Sequence, residues 1–202
     1  MPKRIVVKQC CGVVIDVQDF FLSQLDARLR ANIEVNTANL IRLFGYFKIP
    51  VVATLERPID LKGQMPDFLG ECFGGLPSGL GKSFEKDFFD LTKDSRIKAH
   101  LAKLKKKQAI VAGCETDVCV VQSALGLLDL GYEVFAVEEL VFSSARAVEA
   151  AKARMQAEGV VFLSYKTLYF ELLEAVGDSR HANRMLKKLG PFPDDIPEAA
   201  ID

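Results

Sequence analysis

The chain has 202 residues, 50% hydrophobic and 26% charged, with a formal net charge of −1. That composition fits one globular domain with a real core. It excludes the strongly basic surface that nucleic acid or an acidic membrane requires, and no apolar run approaches the ~20 residues that span a bilayer. The five cysteines (Cys10, Cys11, Cys72, Cys114 and Cys119) are odd in number and lack a framework spacing. Free thiols in a reducing compartment fit better than disulfides. Met1 to Lys8 carries charge but leads into no long apolar stretch with a cleavage site, so the expectation is a cytoplasmic protein.

In chain order, Cys10 to Ile15 reads as a buried strand ending at Asp16. Leu29 to Phe47 carries Ile33, Leu40, Ile41 and Phe44 at helical spacing, and Pro50 punctuates it before a strand at Val51 to Leu55. Glu56 to Asp90 is rich in glycine and proline, with weak periodicity. It reads as a long loop, which in a compact domain is usually functional. Arg96 to Lys106 reads as a helix and Ala109 to Gly113 as a strand. Thr116 to Leu130 reads as an apolar helix stopped by Gly131. A strand follows at Tyr132 to Val137. Then comes a helix capped by Ser143 or Ser144 that runs to Glu158, a strand at Val160 to Leu163 and a helix at Tyr165 to Val176. Apolar strands separated by helices imply a parallel sheet covered on both faces. Residues 1–190 read as one domain, and the proline-rich acidic tail from Pro191 to Asp202 as a surface or subunit wrap.

Ligands of open parallel sheets bind beyond the carboxyl ends of the strands. Asp16 lies at one such end, and Gly113-Cys114-Glu115-Thr116-Asp117-Val118-Cys119 leaves another. Cys119, at a helix start, reads equally as a nucleophile or as a small core residue. Taken alone, Asp16 reads as a cap or loop acceptor, and Lys86 as a surface ammonium.

Three strings in this order resemble the isochorismatase-like cysteine hydrolases. Val13-Val14-Ile15-Asp16-Val17-Gln18-Asp19-Phe20-Phe21 is similar to the family's opening motif. Lys86 with Phe88, Phe89 and Asp90 resembles its lysine block, with Lys82 a weaker candidate for that role. Val111 to Val120, with Gly113 and Thr116 ahead of Cys119, resembles its nucleophile motif. The resemblance spans Val6 to Val176 and looks nearest to isochorismatase-domain proteins without an assigned substrate. It implies a three-layer α/β/α sandwich on a six-stranded parallel, Rossmann-like sheet, of which five strands are accounted for above. It also implies a cis peptide at Cys114–Glu115 and a catalytic triad of Asp16, Lys86 and Cys119. The N–H groups of Glu115 and Cys119 would form an oxyanion hole, and Phe21 would touch substrate.

The implied reaction is hydrolysis of a small amide, ureido or related acyl substrate through a thioester, by a homo-oligomer. Lys86 should lower the Cys119 pKa below the ~8.5 of a free thiol, with Asp16 opposing it. Phe20, Phe84, Phe88 and Phe89 are shared between pocket and core in this reading. Nicotinamidases of the family add a metal site of one Asp and two His after the second strand. Residues 54–66 here offer Asp60 and no histidine, and His100 and His181 are remote in sequence. Neither metal nor cofactor is expected. The rival readings are a silent scaffold that binds a protein, and a redox sensor using Cys119 with Cys114 as resolving thiol.

Overall fold

The computed structural model describes residues 3–145 and 148–174, with positions 180, 183, 184 and 187 beyond them. The tail from Pro191 and the residue His181 lie outside the described residues. In chain order the elements are β1 (Cys10–Ile15), α1 (Asp19–Leu22), α2 (Ala27–Phe47), β2 (Val51–Glu56), α3 (Ile59–Lys62), α4 (Asp67–Gly74) and β3 (Gly81–Lys86). Then follow α5 (Ser95–Leu104), β4 (Gln108–Cys114), a π-helical turn (Thr116–Val120), α6 (Val121–Asp129), β5 (Glu133–Phe142), α7 (Glu149–Ala157), β6 (Val161–Leu163) and α8 (Tyr165–Leu173). No described helix is long and apolar enough to cross a membrane.

The six strands form one parallel sheet in the order β3-β2-β1-β4-β5-β6. Every residue of β1, β2 and β4 is buried, as continuous apolar strands between two helical layers must be. Alternate side chains of β1 serve the two layers. Cys10 and Val14 pack with Leu40 and Phe44 of α2 and Leu168 of α8. Cys11, Val13 and Ile15 pack with Leu101 of α5, Ala124 and Leu127 of α6 and Met155 of α7. Gly12 lets the Phe44 ring lie against the sheet, since a Cβ there would sit 2.5 Å from the ring.

The missing sixth strand is β3. It lies at the sheet edge, and only its last residue, Lys86, is buried, so it gives no apolar run to recognise. The region expected to be one long loop therefore contains α3, α4 and β3. One other expectation fails and one is refined. Ser143 and Ser144 do not cap α7, which begins at Glu149 after Val148. Their side chains bind instead to Asp117 and Glu115. The expected helix from Thr116 begins as the π turn and becomes α-helical only at Val121.

The strand order doubles back between β1 and β4, and β4 crowds β1 closely at its carboxyl end. Gly113 has φ 126, and an added Cβ would lie 2.0 Å from the Ile15 carbonyl oxygen. Gly113→Ala is therefore expected to cost about 3 kcal/mol or more of stability. Urea denaturation checks this, and wild-type stability in the variant would refute the close approach.

Candidate active site

Four strand ends supply one cluster. Asp16 follows β1, Glu56 ends β2, Lys86 ends β3, and the chain beyond β4 turns back to carry Cys119. Glu56 and Lys86 face each other in the β2–β3 register.

Asp16 takes a left-handed backbone with φ 50, which aspartate tolerates better than most side chains. The Gln18 N–H donates to the Asp16 carbonyl at 2.9 Å, closing a tight turn. The carboxylate is fully buried. Its Oδ2 pairs with Lys86 Nζ at 2.7 Å, and its Oδ1 accepts from the Thr54 hydroxyl at 2.8 Å. Burial pushes the Asp16 carboxyl upward, against the opposing pull of Lys86, Thr54 and Cys119. Lys86 is itself without solvent exposure. Burial disfavours its charge, but the carboxylates of Asp16 and Glu56 and the sulfur of Cys119 outweigh burial and hold it cationic. Lys82 is exposed on the same strand and lies over the Phe84 ring, so the cation of the site is Lys86.

Cys119 sits in the π turn with 2% exposure. Its Sγ lies 3.7 Å from Lys86 Nζ and donates to Glu56 Oε2 at 2.8 Å. Burial, followed by the Asp16 carboxylate, pushes this thiol up; Lys86 pulls it down, and Glu56 adds to the rise. The expected depressed thiol is thus not what the resting site holds. One cation cannot offset desolvation together with two neighbouring carboxylates. Cys10 and Cys11, buried in β1, are each pushed up to about 12, chiefly by burial.

Glu56 is the residue that sequence reasoning missed. Its Oε2 meets Cys119 and lies 3.8 Å from Lys86 Nζ, while its Oε1 pairs with Lys62 of α3. Burial alone would raise this carboxyl, but Cys119, Lys62 and Lys86 together hold it below its usual range. The buried Gln18 amide brackets the residue. It accepts from the Glu56 N–H at 2.7 Å and donates to the carbonyls of Glu56 at 3.2 Å and Gly63 at 2.8 Å. One side chain from the opening motif therefore fixes both Glu56 and the end of the helix bearing Lys62. A signal existed in the sequence, an acid closing an apolar strand, but nothing local linked it to Cys119.

Oxygen and sulfur atoms of Asp16, Glu56 and Cys119 lie within 4.8 Å of one another. A metal ion could bridge such a spacing, but two ammonium groups already neutralise these carboxylates. The donor set thus suits proton transfer better than metal binding.

Ahead of the Cys119 turn the peptide Cys114–Glu115 is cis, as the family resemblance implied. The Glu115 carbonyl accepts from the N–H groups of Val118 and Val120, and its carboxylate accepts from the Ser144 N–H at 3.1 Å and from the Ser144 hydroxyl. Phe21 is buried in α1, with Lys62 Nζ 5.8 Å from its ring centroid. Phe20, Phe88 and Phe89 are exposed, and Phe84 is partly buried against His100. The Cys114 thiol lies fully buried and donates to the Asp16 carbonyl at 3.0 Å.

Buried Cys119, Asp16 and Lys86 thus meet at the carboxyl ends of a parallel α/β/α sheet. The isochorismatase domain matches residues 10–167, and the chain belongs to that family, with its hydrolase fold. Isochorismatase family protein 2A of Dictyostelium discoideum is 28% identical over 184 residues, covering 87% of this chain and 88% of that one. Among solved structures, the MAR1 ribonuclease of Caenorhabditis elegans superposes with a TM-score of 0.80 at 22% identity, covering 92% of both chains. The YcaC gene product of Escherichia coli, described as an octameric hydrolase of unknown specificity, gives a TM-score of 0.80 at 20% identity, covering 95% of this chain and 93% of that one. At these identities the two structures speak to the fold alone.

Lys86→Met would leave the Asp16 carboxylate buried without its cation. Breaking one side of a buried pair is expected to cost about 3–5 kcal/mol. The double variant Asp16→Asn/Lys86→Met should recover part of that loss in chemical denaturation. Equal stability of the single variant and the wild type would show that water solvates Asp16.

Proposed function

We propose that this protein is a cysteine hydrolase acting on a small amide, ureido or related acyl substrate. The convergence of Cys119, Lys86 and Asp16 within one buried cluster carries the reading. Cys119 attacks the carbonyl carbon, and Lys86 stabilises the thiolate as it forms. A carboxylate takes the thiol proton and later gives it to the leaving nitrogen, a task the family resemblance assigns to Asp16. The N–H groups of Glu115 and Cys119 hold the oxyanion, and the site closes with hydrolysis of the thioester. Phe21 contributes an apolar wall. The five free cysteines support a reducing, cytoplasmic setting. The redox-sensor alternative is weakened by Cys114, whose thiol is committed to the Asp16 carbonyl.

The test is a screen of small amides, ureido acids and esters, with mass spectrometry of the intact protein and its peptides. An acyl adduct on Cys119 is expected, and Cys119→Ala should lower turnover by roughly a thousandfold or more. Turnover that survives in Cys119→Ala would overturn the reading.

A homo-oligomer belongs to the same proposal. Val35 on α2 and Phe88 and Phe89 beyond the edge strand β3 are about half exposed, and apolar surface of that kind suits a subunit contact. Light scattering at micromolar concentration should give a mass above that of one chain, and a monomer would refute this part.

A further inference from the structure

The triad leaves unexplained the group that holds the thiol hydrogen. We propose that Glu56, rather than Asp16, is the carboxylate that takes the Cys119 proton and returns it to the leaving nitrogen. The proposal rests on Cys119 being the nucleophile of an acyl transfer.

Geometry is the first argument. The thiol hydrogen bond runs to Glu56 Oε2 at 2.8 Å, a direct path for a proton. Of the Asp16 oxygens, Oδ1 already accepts from the Thr54 hydroxyl, and Oδ2 lies in the ion pair with Lys86.

The second argument is the cost of each transfer. Protonating Asp16 would remove the nearest counter-ion from Lys86, an ammonium with no solvent exposure. Lys86 would keep only the new thiolate at 3.7 Å and Glu56 at 3.8 Å, longer contacts than the 2.7 Å pair it lost. Protonating Glu56 instead removes the partner of Lys62, whose side chain keeps 21% exposure and can be solvated. Lys86 then faces both the Asp16 carboxylate and the new thiolate. The count of charges is conserved, with two anions and two cations before and after.

Access is the third argument. Asp16 is sealed, whereas Glu56 keeps 8% exposure beside the partly exposed Lys62. A leaving nitrogen or an entering water can reach it. The groups facing Glu56 are Cys119 of the π turn, Lys86 of β3, Lys62 of α3 and Asp16, which has an oxygen within 4.8 Å of the Glu56 carboxylate. Arg57 turns away to Glu85 and Asp87. Because these neighbours hold Glu56 below the usual carboxylate range, its protonated form gives up the proton readily.

The steps balance. The S–H bond breaks as an O–H bond forms on Glu56, and the sulfur pair forms a bond to the carbonyl carbon, placing the π pair on oxygen. Collapse breaks the C–N bond while the Glu56 proton passes to nitrogen. In the second half Glu56 takes a proton from water, and the hydroxide displaces the thiolate. Glu56 then returns that proton to sulfur.

Alkylation by iodoacetamide, followed at Cys119 by peptide mapping, tests this without any substrate. In the wild type the proton stays within the pair, so the rate should be nearly flat from about pH 6 to 8. It should fall only as acid protonates Glu56, below the ordinary carboxylate range. In Glu56→Gln the thiol must ionise to solvent, so the rate should be at least ~10-fold lower at pH 6 and rise ~10-fold per pH unit. Lys62→Met, at a partly exposed position, removes a cation that favours the ionised carboxylate. The acid limb of the Cys119 profile should then move to higher pH. A Glu56→Gln protein that alkylates as fast as the wild type, or faster, would overturn the proposal, because Glu56 would then only suppress the thiolate. An unmoved acid limb in Lys62→Met would overturn it as well. Either outcome leaves the hydrolase reading intact with Asp16 as base. Failure to find an acyl adduct on Cys119 would instead defeat the hydrolase reading, whatever the alkylation profiles show.

Discussion

A lysine ammonium without solvent exposure organises the centre of this protein. Lys86 has given up its hydration, and only the anions around it make that tolerable. Asp16 pairs with it at 2.7 Å, Glu56 lies at 3.8 Å, and the Cys119 sulfur completes the set at 3.7 Å. Each of these groups comes from a different strand end, so the sheet must hold four carboxyl termini in register for the cation to survive. Thr54, Gln18 and the left-handed turn at Asp16 serve the same end, since they aim or fix the carboxylates.

The same constraint sets the chemistry. In a site balanced between two carboxylates and two ammonium groups, a thiol that loses its proton to solvent leaves an excess negative charge in low dielectric. That is why the thiol is held up despite the neighbouring cation. A proton kept inside the cluster avoids the excess. In the proposed mechanism Cys119 is buried and protonated at rest and becomes a thiolate by one short transfer, with Lys86 already beside it.

The fold supports this economically. β1, β2 and β4 are the buried strands whose ends carry Asp16 and Glu56 and lead into the Cys119 turn. The edge strand β3 contributes only its last residue. Gly113 permits β4 to run hard against β1, which draws the Cys119 turn towards Asp16. Ser143 and Ser144, tied to Asp117 and Glu115, brace that turn from the β5 side.

Much of this was legible in the amino-acid order, because strands buried on both faces are written as continuous apolar runs. β1, β2 and β4 stand out for that reason, and the acid after the first run and the cysteine after the third mark the end of the sheet where the cluster forms. What the order could not express was anything decided by neighbours distant along the chain. β3 shows no apolar run because one side of it meets solvent, so Lys86 read as a loop residue until the edge strand placed it. Glu56 read as the first residue of a long loop, and only the packing of β2 against β1 and β3 brought its carboxylate to the sulfur. The thiol's proton state followed from burial and two carboxylates, terms that depend on distance through space. Local sequence thus determined which segments are strands and helices and which residue types end them, whereas tertiary structure decided which charges meet, because that depends on register and on exclusion of water.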